Sequence, residues 1–163
     1  MDIRPATLDD LPAIQAIYAH HVLEGTGTFE EVPPSLEEMT GRYHYILNGG
    51  FTWLAAADAS GILGYGYYGP FRTRAAYRFT VEDSIYIRDD VRGQGVGKAL
   101  LTSLLDSARA AGIKQMLALI GDSENTGSIG VHASLGFVIA GTMRKVGYKF
   151  DRWLDVVTMQ KGL

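Results

Sequence analysis

Ser84–Lys98, SIYIRDDVRGQGVGK, joins an apolar β-prone stretch to a glycine loop, and the helical pattern KALLTSLLDSARAA begins at its end. Glycine stands at 93, 95 and 97, with Arg92 before the first and Lys98 after the last. Such glycines let the main chain approach an anion with no Cβ in the way, while the free N–H groups and dipole of a helix start attract negative charge. The flanking cations add formal charge. A dinucleotide loop would carry its third glycine at position 98, which is lysine, and a Walker loop would need glycine at 92 and Ser or Thr at 99, where Arg92 and Ala99 stand. Neither pattern fits. An ordinary strand-to-helix turn also uses glycine, but three alternate glycines between two cations favour a phosphate site.

Composition narrows what such a site serves. At 163 residues and 47% hydrophobic content the chain suits one well-buried core, so a single domain over 1–163 is expected. Fifteen Lys and Arg against 18 Asp and Glu give a net charge of −3, which argues against a nucleic-acid partner and leaves the basic residues near the loop to act locally. With no cysteine, disulfides, thiolate metal sites and an acyl-enzyme on cysteine are all excluded. The start, MDIRPATLDD, lacks the apolar run of a signal peptide, and no apolar stretch reaches membrane-spanning length. A cytoplasmic protein without membrane partners is the expectation.

Around the loop the pattern alternates between helix and strand. Residues 2–6 read as a strand. Thr7 can cap a helix from Leu8 to about Glu24, and Ser35 with Glu38 makes a capping box for a second helix to about Leu47. FTWLAAAD, GILGYGYYG and Tyr77–Ile87 read as an antiparallel meander. The loop helix should span about Gly97–Ala111. QMLALIG follows as a buried strand, Asn125–Leu135 as a helix, and VIAGTMRKVGYKF with RWLDVVTMQK as a final hairpin.

RGQGVG behind an apolar strand resembles the acetyl-CoA loop of the GNAT N-acetyltransferases. FRTRAAYRFTVEDSIYIRDDVRGQGVG, ENTGSIGVHASLGF and VGYKFDRWLDVV together resemble the phosphinothricin acetyltransferase branch, which also holds methionine sulfone and sulfoximine acetyltransferases. ATLDDLPAIQAIYAHHV and TGTFEEVPPSLEE extend the likeness over nearly the whole chain. The resemblance implies an α/β GNAT fold, a mixed and mostly antiparallel sheet of about seven strands flanked by about four helices. It also implies acetyl-CoA as donor, a small amino-acid-like amine as acceptor, and a homodimer. A non-catalytic acyl-CoA-binding module, or an enzyme acting on a different amine, stays open at this point.

Acetylating an amine requires its free lone pair, so a base must take a proton near neutral pH. Alternation in the strand puts Glu82, Ser84 and Tyr86 on one face and Val81, Asp83 and Ile85 on the other. Glu82 could be no more than a solvated or ion-paired residue, but the resemblance assigns the matching glutamate of TVE as base, acting directly or through water. His132 shares a helix face with Asn125, Ser128 and Ile129. Protonating the departing CoA thiolate would help the reaction, and His132 could serve. Many GNAT enzymes carry tyrosine there; in this branch the histidine is linked to catalysis, and cofactor contact or simple packing of a lone helix histidine are the alternatives. The resemblance assigns the cofactor to the backbone of Ile85, Tyr86 and Ile87, to Arg92, Gly93, Gln94, Gly95, Val96, Gly97 and Lys98, and to Asn125, Ser128 and Ser134. It assigns the amine pocket to Phe29, Arg72, Thr73 and Arg74, with Asp83 and Ser84 beside Glu82. A guanidinium at 72 or 74 suits a carboxylate or phosphinate. Tyr148 and Trp153 read as core or dimer-interface residues, and His20, His21 and His44 show no metal spacing, so no metal is expected.

Overall fold

Alternating apolar residues in seven segments build one mixed sheet in a computed structural model that describes all residues, 1–163. In chain order the elements are β1 (Asp2–Pro5), α1 (Leu11–Glu24), α2 (Leu36–Asn48), β2 (Trp53–Asp58), β3 (Gly61–Pro70), β4 (Thr80–Ile87), α3 (Val96–Ala110), β5 (Gln115–Gly121), α4 (Thr126–Ser134), β6 (Val138–Lys149) and β7 (Arg152–Gly162). The strand order is β1-β2-β3-β4-β5-β7-β6. Every pairing is antiparallel except β4 with β5. That parallel pair needs a crossover connection, which the glycine loop and α3 supply.

The sheet separates two cores. On one face Leu100, Leu101 and Leu104 of α3 pack with Val81, Met116 and Met159, each almost fully buried. On the other, Leu11, Ile14 and Val22 of α1 and Met39 and Ile46 of α2 cover Trp53, Ala55 and Tyr65. Alternation in β4 therefore sends Val81 and Asp83 towards the α3 side, while Glu82 and Ser84 face the α2 side.

Several boundaries differ from the sequence expectation. The first helix opens as a 3-10 turn over Leu8–Asp10, where the Asp10 carboxylate accepts from the Thr7 N–H at 2.8 Å and holds Arg4 at 2.7 Å; α1 then begins with Pro12 in its first turn, where its missing N–H costs nothing. Tyr77–Phe79 is not strand: Ala75–Tyr77 forms a 3-10 turn, and Tyr77 and Phe79 are exposed, so their β propensity finds no neighbour to pack against. Tyr148 and Trp153 lie outside the core, 53% and 61% exposed, with their rings 5.0 Å apart on the β6–β7 hairpin. The second helix keeps its predicted capping box, Ser35 accepting from the Glu38 N–H and Glu38 from the Ser35 N–H. No helix is long and apolar enough to cross a membrane.

Candidate active site

The loop after β4 owes its glycines to backbone conformation. Gly93 and Gly95 sit at φ +75° and +84°, the left-handed region that side chains disfavour, and Gly95 is the N-cap of α3. A Cβ at either would meet nothing of the protein within 4 Å, so the loop presents an open, side-chain-free surface. Because Ala99 makes the first helical bond, to the Gly95 carbonyl, the N–H groups of Val96, Gly97 and Lys98 remain for an external acceptor. Lys98 is exposed and carries no ion pair, whereas Arg92 is held by Asp89 at 3.1 Å. Gln94 is exposed.

Beside the loop the sheet opens. β4 pairs with β5 only from Thr80↔Gln115 to Asp83↔Ala118, and beyond that point β5 pairs with β7 alone. The Arg88 N–H donates to the Leu63 carbonyl at 2.8 Å, which fixes the phase of the β3–β4 ladder: Ser84 and Tyr86 bond towards β3, while Ile85 and Ile87 turn their backbone groups to the β5 side. The Ile87 carbonyl takes a 2.8 Å hydrogen bond from His21 Nε2, whose ring burial keeps it neutral by lowering its pKa. Ile85 is left with an unpaired N–H and C=O in the gap, and an extended amide-bearing chain is the partner such an edge accepts. Acetyl-CoA fits on both counts: a pyrophosphate suits the free amides of the loop, and the amide-rich pantetheine arm suits the strand edge. On α4, Asn125 is the N-cap, its Oδ1 accepting from the Ser128 N–H at 3.2 Å; its amide NH2 stays free. Ser134 is exposed and donates to the Val131 carbonyl.

A cleft of about 470 Å³ opens on the α2 face. Glu82 and Ser84 form its floor, Trp53 and Tyr67 a wall, and Arg42 and Tyr45 its α2 side. Glu82 is half-buried and takes no hydrogen bond from the protein; burial first, and then the charge of Asp83, push its pKa above the ordinary carboxylate value, while Arg72 opposes the shift. A carboxyl with raised proton affinity beside a cleft can accept a proton from a bound amine.

The other predicted residues divide. Ser84 joins Glu82 in the cleft. Arg72, Thr73 and Arg74 are exposed on the loop before β4, with Arg72 stacked 4.9 Å over Phe71 and near enough to act on Glu82. Phe29 packs edge-on against Gly121 and Gly147, where any Cβ would collide with its ring, so it anchors the Gly25–Glu31 loop at the end of β5. Asp83 is not in the amine cleft: it is buried on the opposite face, 3.0 Å from His132 Nε2, because one step along a strand reverses the face. His132 is buried too, with both ring nitrogens occupied, Nδ1 by the Ser128 carbonyl at 2.7 Å.

Four residues escaped sequence reading. Arg42 reaches the cleft while bonded through both terminal nitrogens to Glu30, at 2.6 and 2.9 Å, and Glu30 also accepts from the Tyr18 hydroxyl. Trp53 and Tyr67 stack with centroids 4.3 Å apart. Lys149, 2% exposed, donates to the carbonyls of Gly25 and Thr28 and so ties the Phe29 loop to β6. The pairing of a buried lysine with backbone carbonyls has no sequence signal; the helical position of Arg42 left only a solvated face to expect.

Comparison with known proteins agrees with this geometry. Residues 3–158 match the family model described as an acetyltransferase (GNAT) domain. The chain is 50% identical over 161 residues, 99% of this chain and 82% of the relative, to a phosphinothricin N-acetyltransferase of Alcaligenes faecalis. It is 45% identical, over 99% of this chain and 94% of the relative, to an L-methionine sulfoximine/L-methionine sulfone acetyltransferase of Pseudomonas paraeruginosa. Among solved structures, a GNAT superfamily phosphinothricin acetyltransferase from Sinorhizobium meliloti in complex with AcCoA superposes with a TM-score of 0.96 at 45% identity, covering 99% of this chain and 88% of that one.

Proposed function

The chain belongs to the GNAT acetyltransferase family and is an acetyl-CoA-dependent N-acetyltransferase, and from that premise we propose that it acetylates the α-amine of a small polar amino acid of the phosphinothricin, methionine sulfoximine and methionine sulfone class. The observation that carries this reading is Glu82, a half-buried carboxyl free of protein hydrogen bonds that lines a cleft of about 470 Å³ and precedes, on the same strand, the point where β4 and β5 part. Relatives bearing those substrate names over almost the full chain supply the class.

Acetyl-CoA supplies the thioester as donor. The N–H groups of Val96–Lys98 and the edge of Ile85 hold it, Glu82 takes the proton from the amine directly or through water, and nitrogen replaces sulfur on the acetyl carbon as the thiolate leaves to be protonated by solvent. Without a cysteine the acetyl group passes directly, with no acyl-enzyme on a thiol. Arg72 and Arg74, exposed on the loop before β4 and outside the cleft lining, would offer a cation to a carboxylate, phosphinate, sulfoximine or sulfone oxygen, and the influence of Arg72 on Glu82 supports that role. The whole chain acts as one domain, cytoplasmic and paired as a homodimer. The exposed apolar residues Val138, Ile139, Met143, Val146, Tyr148 and Trp153 of the β6–β7 edge support the pairing.

Free CoA thiol released from acetyl-CoA reads out the reaction. A panel of phosphinothricin, methionine sulfoximine, methionine sulfone, ordinary amino acids, polyamines and peptide N-termini should give its highest kcat/KM with the first three; a preference for polyamines or peptides overturns the substrate class.

A further inference from the structure

The last paired position between β4 and β5 carries a buried charge pair. Asp83 faces Ala118 across the end of the ladder, and its carboxylate meets His132 of α4 at 3.0 Å, the two side chains only 3% and 5% exposed. The Ser128 carbonyl can only accept, so Nδ1 carries a hydrogen, and the remaining proton lies between Nε2 and Asp83 Oδ1. No ring nitrogen is left for a third partner. The Phe137 ring stands edge-on to the imidazole at 5.0 Å, and the N–H groups of Leu135 and Phe137 bond to the His132 carbonyl, so the residue is fixed from both ends of the turn into β6.

We propose that Asp83 and His132 form a pin at the point where β4 and β5 part, holding α4 to β4 and thereby fixing the width of the cofactor gap, and that His132 is a positioning residue rather than the acid for the thiolate. The connectivity supports this. α4 follows β5 through the Asp122–Asn125 turn, so the Asp83–His132 bond closes a loop of three elements across the apex of the gap, below the unpaired edge of Ile85. The same helix brings Asn125 and Ser128 to the gap, so a shift of α4 would move them together. One oxygen of Asp83, Oδ2, is buried with no hydrogen bond. Its unsatisfied charge bears on Glu82, the neighbouring residue on the opposite face of β4. Among the surrounding elements, His132 of α4 is the cationic partner acting on Asp83, with Glu82 its like-charged neighbour on β4, and Arg72, from the loop before β4, is the cation acting on Glu82.

The inference rests on the acetyl-CoA reading of the gap, and binding separates the two. Acetyl-CoA affinity is measured by calorimetry, and turnover by thiol release, on the full chain carrying Asp83→Asn, His132→Gln and both together. The pin predicts that each single variant weakens acetyl-CoA binding by roughly tenfold or more and that the double variant loses less than the product of the two losses. At saturating acetyl-CoA, kcat should stay within about tenfold of wild type, and the alkaline limb of the pH–rate profile should persist in His132→Gln. Asp83→Asn should also move the acid limb, set by Glu82, to lower pH, because the repelling charge is gone. The double variant buries no unpaired charge, so it remains the test if a single variant fails to fold. Wild-type affinity in the double variant overturns the pin. So does a kcat loss of roughly 10²-fold in His132→Gln with unchanged affinity and a vanished alkaline limb, the signature of a general acid. If wild type turns over none of the amines, the substrate reading fails while the binding data still decide the pin.

Discussion

Glu82 is held by the fold in conditions that favour its neutral form. Its pKa lies above 4.5 because of burial and then of Asp83, so the folded state binds this proton more tightly than the unfolded chain. Its contribution to stability is therefore fully present below the unfolded pKa and is lost as pH rises through the folded one. A base at Glu82, as proposed, would use the opposite charge state, so activity should climb with pH through the same titration. Glu82→Gln should cut kcat by about 10² or more while leaving acetyl-CoA affinity intact. The same change should raise the melting temperature at pH 8 and leave it nearly unchanged at pH 4; unaltered turnover would remove Glu82 from the role. The strand face of Glu82 was legible in the sequence because two-residue alternation assigns it directly, whereas its proposed role as base came from the resemblance of TVE to the family. Arg42 was not, since its place in the cleft depends on where α2 docks. The spacing of Asn125, Ser128 and His132 gave their shared helix face, but the partner of His132 lies 49 residues away and no local pattern points to it.

Among the elements, α3 was read to within a residue, because its apolar period and its glycine start coincide. Gly95 is the position where its use is most exacting. Gly95→Ala should cost about 1 kcal/mol of stability through the left-handed φ of +84°. It should weaken acetyl-CoA binding by more than that, as measured by calorimetry beside thermal melts; unchanged binding would mean that the loop does not grip the cofactor. The capping box at Ser35 was equally plain. The run from Tyr77 to Phe79 misled, because β propensity describes residues that pack on a half-buried surface, and here Arg78 instead lays its guanidinium over Phe79 in the open. The break between β4 and β5 had no signature of its own. Apolar residues continue past Asp83 through Ile85 and Ile87, and only the partner strand's departure towards β7 ends the pairing.

At the scale of the molecule, the β6–β7 edge is the surface least explained by a single chain. It exposes Trp153 and Tyr148 as well as the unpaired backbone of an edge strand, a combination that soluble proteins usually cover. Light scattering should return twice the mass of 17.8 kDa, and Trp153→Arg should shift the equilibrium towards that single mass; a monomeric wild type would end the homodimer reading. The sheet itself acts as a partition. The glycine loop heads the helix packed on one side, the cleft opens on the other, and the gap beyond Asp83 is where the two compartments meet. On the proposed reading these are two doors, and each reactant should be able to enter by its own whether or not the other is occupied. Initial rates measured while both concentrations vary should give intersecting double-reciprocal lines. Each product should be able to leave by the door through which its larger part came in, so that neither has to wait for the other.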